Sequence, residues 1–133
     1  MNFKNVESAL LSSHLATKFL APKGLLLLTG SSGVYDGPYN FAFGYHLSKT
    51  ALHCLADLMH AELGKSLPPE ARVVCLLPGV LDTPSNRASG MQPDPTWILP
   101  ESLAKQIEHW ASSDERLAKF IKVSGDLMSE IGI

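Results

Sequence analysis

Two short, continuous apolar runs limit what this chain can fold into. They are "GLLLLTG", from Gly24 to Gly30, which glycines bound, and "ARVVCLLPG", from Ala71 to Gly79, which Pro78 ends. Strands buried on both faces have this composition, and they occur in parallel sheets that helices cover on both sides. The segment "KFIKV", from Lys119 to Val123, is a third candidate strand.

Amphipathic segments separate these strands. The chain from Asn2 to Phe19 and the chain from Tyr45 to about Leu63 repeat apolar residues at three-to-four spacing, which predicts helices, and a third helix is expected to begin at Pro100. The predicted apolar stripes are Val6, Leu10, Leu11, Leu15 and Phe19 on the first helix, and Leu52, Leu55, Ala56, Met59 and Leu63 on the second. Loops are expected over residues 31–44 and 79–99. The alternation predicts an α/β fold with a parallel sheet of about three strands and flanking helices.

Composition excludes several classes of function. A chain of 133 residues with 45% hydrophobic content is expected to form a single domain, and a net charge of -2 with scattered Lys and Arg argues against nucleic acid as a partner. No apolar run approaches the roughly 20 residues that span a bilayer, so we expect no membrane partner and a cytoplasmic location.

Cysteine and histidine spacing gives no sign of a metal site. Cys54 and Cys75 lie in apolar segments, so each is expected to be a buried free thiol. His46, His53 and His60 recur every seven residues, an advance of about 10.5 Å along a helix, which is too far for one ion. We therefore expect no metal, and we expect these histidines at a surface or an interface.

Tyr45 and Lys49 form the motif with the clearest chemical use. They lie four residues apart on a predicted helix, so their side chains are neighbours on one face. A free tyrosine has a pKa near 10, and a nearby ammonium favours its phenolate form, which would suit Tyr45 to general acid catalysis. Two residues alone match by chance in many unrelated chains, where the lysine is simply exposed and the tyrosine packed.

Three further features strengthen this motif. Ser32 stands 13 residues before Tyr45, Asn5 stands 27 residues before Ser32, and "PGVLDTP" follows the next strand. In this arrangement the chain resembles the short-chain dehydrogenase/reductase family over Asn5 to Pro84. The resemblance implies that residues 1–133 form a single partial domain, the C-terminal half of a doubly wound, Rossmann-like sheet.

The resemblance also implies roles for individual residues. Tyr45, Lys49, Ser32 and Asn5 would be catalytic, with NADH or NADPH as the cofactor. Lys49 and Tyr45 would also contact that cofactor, together with Pro78, Gly79 and Thr83. Simpler explanations remain open, since Ser32 could be a turn residue, Asn5 a helix cap and "PG" a strand terminator.

The substrate is expected to be a small molecule resembling a pterin. Within the family, the segments "SSHLATKFL", "LDTPSNR" and "DPTWILPESLAKQIEHW" are most similar to members that reduce quinonoid dihydropteridine. Trp97 and Met91 could roof such a planar ring, whereas Trp110, on a helix face with Leu103 and Ile107, is expected in the core. Ser32 and Gly79 are closer to carbonyl reductases of other substrates, which keeps that alternative open.

A Gly-rich phosphate-binding turn does not occur in the sequence. Such a turn normally holds the pyrophosphate of a dinucleotide, so this chain alone is expected to bind cofactor weakly. The alternative is a truncated, non-catalytic isoform or fragment that acts only through dimerisation. In the family, helices equivalent to residues 2–19 and 45–63 pair across a dimer axis, so a homodimer is expected.

Overall fold

A computed structural model describes residues 2–37 and 42–131 of the chain. In chain order the elements are α1 (Asn2–Phe19), β1 (Leu25–Thr29), α2 (Ser32–Asp36), α3 (Phe43–Ala61), β2 (Arg72–Pro78), α4 (Pro84–Ala88), α5 (Pro100–Ser112), β3 (Phe120–Ser124) and β4 (Leu127–Ile131). Within these ranges, no helix combines the length and the apolar character that crossing a membrane would require.

The sheet has four strands in the order β1-β2-β3-β4. The first three pair in parallel, which confirms the predicted α/β fold with a mostly parallel sheet. Its form is consistent with one half of a Rossmann-like fold. A fourth strand is added to the three that were expected, because β4 pairs antiparallel with β3 across a two-residue turn in which Gly125 has φ +56°. Four of the five β4 residues are exposed, and only Ile131 packs against the core, so β4 has no apolar pattern that predicts a strand.

Both faces of the sheet are covered, as the apolar strands predict. Alternate residues of β2 point to opposite sides: Val73, Cys75 and Leu77 pack with α1 and α3, whereas Val74 and Leu76 pack with α5. Trp110 of α5 belongs to this second core and is 3% exposed, in agreement with its expected position.

Of the apolar stripe predicted for α1, only Val6 packs against the core. Leu10, Leu11, Leu15 and Phe19 are all exposed, while the small residues Ala9, Ser13 and Ala16 are buried. Small side chains let α1 approach the sheet and α3 closely, which periodicity of large residues could not show. By contrast, the α3 stripe predicted from Leu52 to Leu63 is buried or half-buried as expected.

Two other expectations need correction. The predicted loops contain the short helices α2 and α4, and α3 begins at Phe43 rather than at Tyr45 and ends at Ala61 rather than at Leu63. Cys75 is buried and free, but Cys54 is exposed, because it lies on the outer side of α3. Burial raises the pKa of the Cys75 thiol to about 12, so this side chain is a neutral part of the core.

Candidate active site

A cavity of about 480 Å³ lies at the carboxyl ends of the parallel strands. This is the edge at which open α/β sheets usually bind ligands. Its walls come from α2, the start of α3, the end of β2 with the chain after it, and the end of β3. The lining residues are Ser31, Ser32, Gly33, Asp36, Tyr45, Pro78, Gly79, Val80, Asn86, Met91, Thr96, Lys122 and Ser124.

The turn after β1 brings two serines to this cavity. The Ser31 amide donates a hydrogen bond to Nε2 of His53 at 3.1 Å, which ties the turn to α3. Burial lowers the pKa of His53, and nearby Lys49 lowers it further, so the neutral ring that can accept this bond is favoured. Residue 30, beside the His53 ring, has to be a glycine, because a Cβ there would stand 2.3 Å from His53 Nε2.

Tyr45 and Lys49 come together as the helical spacing predicts. Both lie in the first turns of α3, and the Lys49 ammonium is 5.9 Å from the centre of the Tyr45 ring. Lys49 Nζ donates to the carbonyl oxygen of Thr29, the last residue of β1, at 2.9 Å. Burial lowers the pKa of Lys49, since removal from water disfavours its charged form.

Asn5 lies in a second, smaller cavity, not in the first. This cavity of about 210 Å³ is formed between α1, β1 and α3, and it is lined by Asn5, Thr29 and Lys49 among others. The main-chain oxygen of Asn5 accepts a hydrogen bond from Ser8 Oγ at 3.1 Å. The structure therefore places Asn5 on the Lys49 side of the site, while Ser32 and Tyr45 share the larger cavity.

Three of the five residues expected to contact a cofactor follow or end β2, and they are placed differently from one another. Pro78 ends β2 and, with Gly79, lines the larger cavity, and Gly79 N–H donates to the Val123 oxygen at 3.0 Å. Thr83 is not among the lining residues. Its hydroxyl oxygen caps α4 by accepting a hydrogen bond from the main-chain N–H of Asn86 at 3.2 Å.

The two residues expected to contact substrate also separate. Met91 lines the larger cavity and is 44% exposed, so its thioether is available to a ligand. Trp97 is 8% exposed and lies outside that lining. Trp97 lies in the chain before α5, where main-chain hydrogen bonds join its neighbour Ile98 to Val80 and Asp82. The structure thus places Met91, but not Trp97, at the larger cavity, and the roles expected of both residues stay predictions.

The sequence interpretation missed several residues of the cavity. Ser124 could have been found, since it ends a parallel strand at the edge where ligands bind. Asn86, Asp36 and Lys122 have no such signal. Asp36 and Lys122 are 86 residues apart, and the Lys122 ammonium contacts both carboxylate oxygens of Asp36, at 2.8 and 2.6 Å.

The fold and cavity together define an α/β protein with a ligand-sized site at the carboxyl edge of a Rossmann-like half sheet. No family model matches the chain. It is similar to a protein of Dictyostelium discoideum named dihydropteridine reductase, with 29% identity over 112 residues, or 84% of this chain and 48% of that protein. The chain thus spans about half the length of this curated relative. The likeness indicates a distant relationship to a reductase.

Proposed function

We propose that this chain forms the active-site part of an NAD(P)H-dependent reductase of quinonoid dihydropteridine, with Tyr45 as the proton donor. The observation that carries the proposal is the cavity that Tyr45 shares with Ser32, with the Lys49 ammonium 5.9 Å from the tyrosine ring. The distant likeness to a protein named dihydropteridine reductase supports the choice of substrate.

The donor groups of the site fit a nicotinamide nucleotide. An ammonium has three N–H donors, and Thr29 O accepts one from Lys49, which leaves donors for the hydroxyls of a ribose. Gly79 places no side chain at the end of β2, where a Cβ would lie 3.7 Å from Ser32 Oγ. A ring can therefore approach the serine and the backbone together. When bound, the nicotinamide would supply the hydride.

The protein's own residues would handle the proton and the charge. Tyr45 Oη would donate its proton to the substrate atom that becomes basic on reduction, and Ser32 Oγ would donate a hydrogen bond to a polar atom beside it. The Lys49 ammonium, held against Thr29 O, would stabilise the negative charge left on the phenol oxygen. Thr83 supports the site indirectly, through its cap on α4, the helix that presents Asn86 to the cavity.

The direct test is NADH oxidation with quinonoid dihydropteridine by this chain and by Tyr45→Phe. We expect Tyr45→Phe to lower the rate by about 10²–10⁴-fold, the usual contribution of a general acid. Tyr35→Phe is the matched control, because Tyr35 contacts Phe120 outside the cavity lining and should keep its rate. Equal rates for wild type and Tyr45→Phe would refute the role of Tyr45. A carbonyl substrate reduced in place of the pterin would favour the carbonyl reductase alternative.

A second candidate function is dimerisation without catalysis. The absence of NADH oxidation in wild type and in every variant would favour it. Its support is the apolar surface on the two helices that pack on one face of the sheet: Leu10, Leu11, Leu15 and Phe19 of α1 with Phe43, Leu47 and Leu58 of α3 are exposed. We expect a homodimer by light scattering, and Leu11→Ser with Leu47→Ser should give monomers. Leu127→Ser, on β4 and equally exposed, should leave the dimer intact. A monomeric wild type would refute this pairing.

A further inference from the structure

The ion pair between Asp36 and Lys122 lies in the wall of the candidate active-site cavity. Asp36 is the last residue of α2 and Lys122 is the middle residue of β3. Among the described residues that line the cavity, only these two carry charged side chains. They are therefore the charged groups that a ligand in this cavity would contact directly.

Both charged groups remain accessible. The side chains are 53% exposed for Asp36 and 34% exposed for Lys122. An ion pair this exposed is weakly held, because water screens the attraction and two flexible side chains must be ordered. The Lys122 ammonium lies across both Asp36 oxygens, at 2.8 and 2.6 Å, so a ligand that takes both oxygens must move this flexible lysine side chain aside. The pair is suited to binding as well as to holding α2 against β3.

The two groups present acceptors and donors side by side. A carboxylate binds two parallel N–H groups as a fork, in the way that it binds an arginine guanidinium. The 2-amino-4-oxopyrimidine ring of a pterin has such a pair of N–H groups, on the amino nitrogen and the adjacent ring nitrogen. Its oxo oxygen lies next to them and can accept from an ammonium. The ring edge therefore matches the order of charges that Asp36 and Lys122 offer.

We propose that Asp36 and Lys122 bind the 2-amino-4-oxopyrimidine edge of the substrate, Asp36 through the amino and ring N–H groups and Lys122 through the oxo oxygen. This inference rests on the proposed pterin substrate, and it deepens that proposal by naming the residues that select the amino group. Tyr45 and Ser32, in the same cavity, would then face the part of the ring system that is reduced.

The test compares pterin with lumazine, in which an oxo group replaces the 2-amino group. Their dissociation constants are measured by ligand fluorescence with excess NAD⁺, for wild type and for Asp36→Asn. We expect wild type to prefer pterin by at least about tenfold, because lumazine would leave the carboxylate facing an oxygen. Asp36→Asn should reduce this preference to about one or invert it, since its amide can donate to the oxo group.

A charge-swapped variant separates binding from a purely structural role. Asp36→Lys with Lys122→Asp keeps an ion pair between α2 and β3 but reverses the positions of donor and acceptor. We expect this variant to fold and to lose the preference for pterin. The inference would be overturned if both variants kept the preference for pterin over lumazine, or if wild type showed no such preference. Pterin would remain a ligand in either case. Binding of neither compound by wild type would overturn the pterin substrate and this inference together.

Discussion

The Gly30→Ala substitution should destabilise the protein strongly although it adds only one methyl group. The new Cβ would stand 2.3 Å from Nε2 and 2.5 Å from Cδ2 of His53, and 2.8 Å from Leu77 Cδ2. His53 would have to leave its place, and the Ser31 amide, now bonded to it at 3.1 Å, would lose its acceptor. The clash therefore breaks the contact that holds the β1–α2 turn and its serines.

The size of the effect follows from two costs and one gain. An unsatisfied amide costs about 1–3 kcal/mol, and forcing a methyl group into a packed region costs about 1–3 kcal/mol. Alanine restricts the unfolded chain and returns about 0.4–1 kcal/mol. The free energy of unfolding should therefore fall by about 1–5 kcal/mol. With a urea dependence of about 2 kcal/mol per molar, the midpoint should fall by about 0.5–2.5 M.

Urea unfolding of Gly30→Ala, His53→Ala and the double variant tests the stated cause. In the His53→Ala background the imidazole is gone, so Gly30→Ala should cost less by about 1–3 kcal/mol than it does in wild type. The matched control is Gly37→Ala, because a Cβ at Gly37 would have no atom within 4 Å. Additive effects of the two substitutions would refute the collision with His53 as the source of the destabilisation.

Two further predictions concern titratable groups. Because burial lowers the pKa of His53 below 6.5, the unfolded chain takes up its proton first as the pH falls. Its contribution to stability is complete above pH 6.5 and is lost as the pH falls toward the folded pKa. The urea midpoint should therefore drop less between pH 7.5 and 5 in His53→Gln than in wild type, and equal drops would contradict this. Cys54 should react with a thiol reagent at pH 8 while Cys75 reacts only after unfolding, since Cys54 is exposed and burial raises the pKa of Cys75 to about 12. Cys54→Ser should abolish the fast reaction, and a fast thiol remaining in that variant would show that Cys75 is accessible.

Local patterns in the sequence predicted much of the fold. The apolar runs located β1, β2 and β3, because a strand buried on both faces needs apolar residues at every position. The stripe on α3 likewise identified its buried face. Tyr45 and Lys49 are neighbours because residues four apart lie on the same side of any helix. These features depend only on neighbouring residues, so they can be inferred without knowledge of the chain path.

Tertiary packing decided the rest. Helix α1 buries its small residues instead of its leucines, since the close approach to its neighbours selects the face. Strand β4 exists through its hydrogen bonds to β3, and α2 is a five-residue helix too short to be stable by itself. The meeting of Asp36 with Lys122 also depends on how β1, β2 and β3 align their carboxyl ends. Contacts between distant residues follow from the path of the whole chain. The sequence alone therefore determined the strands and the neighbouring Tyr45 and Lys49, and the structure determined which groups surround that pair.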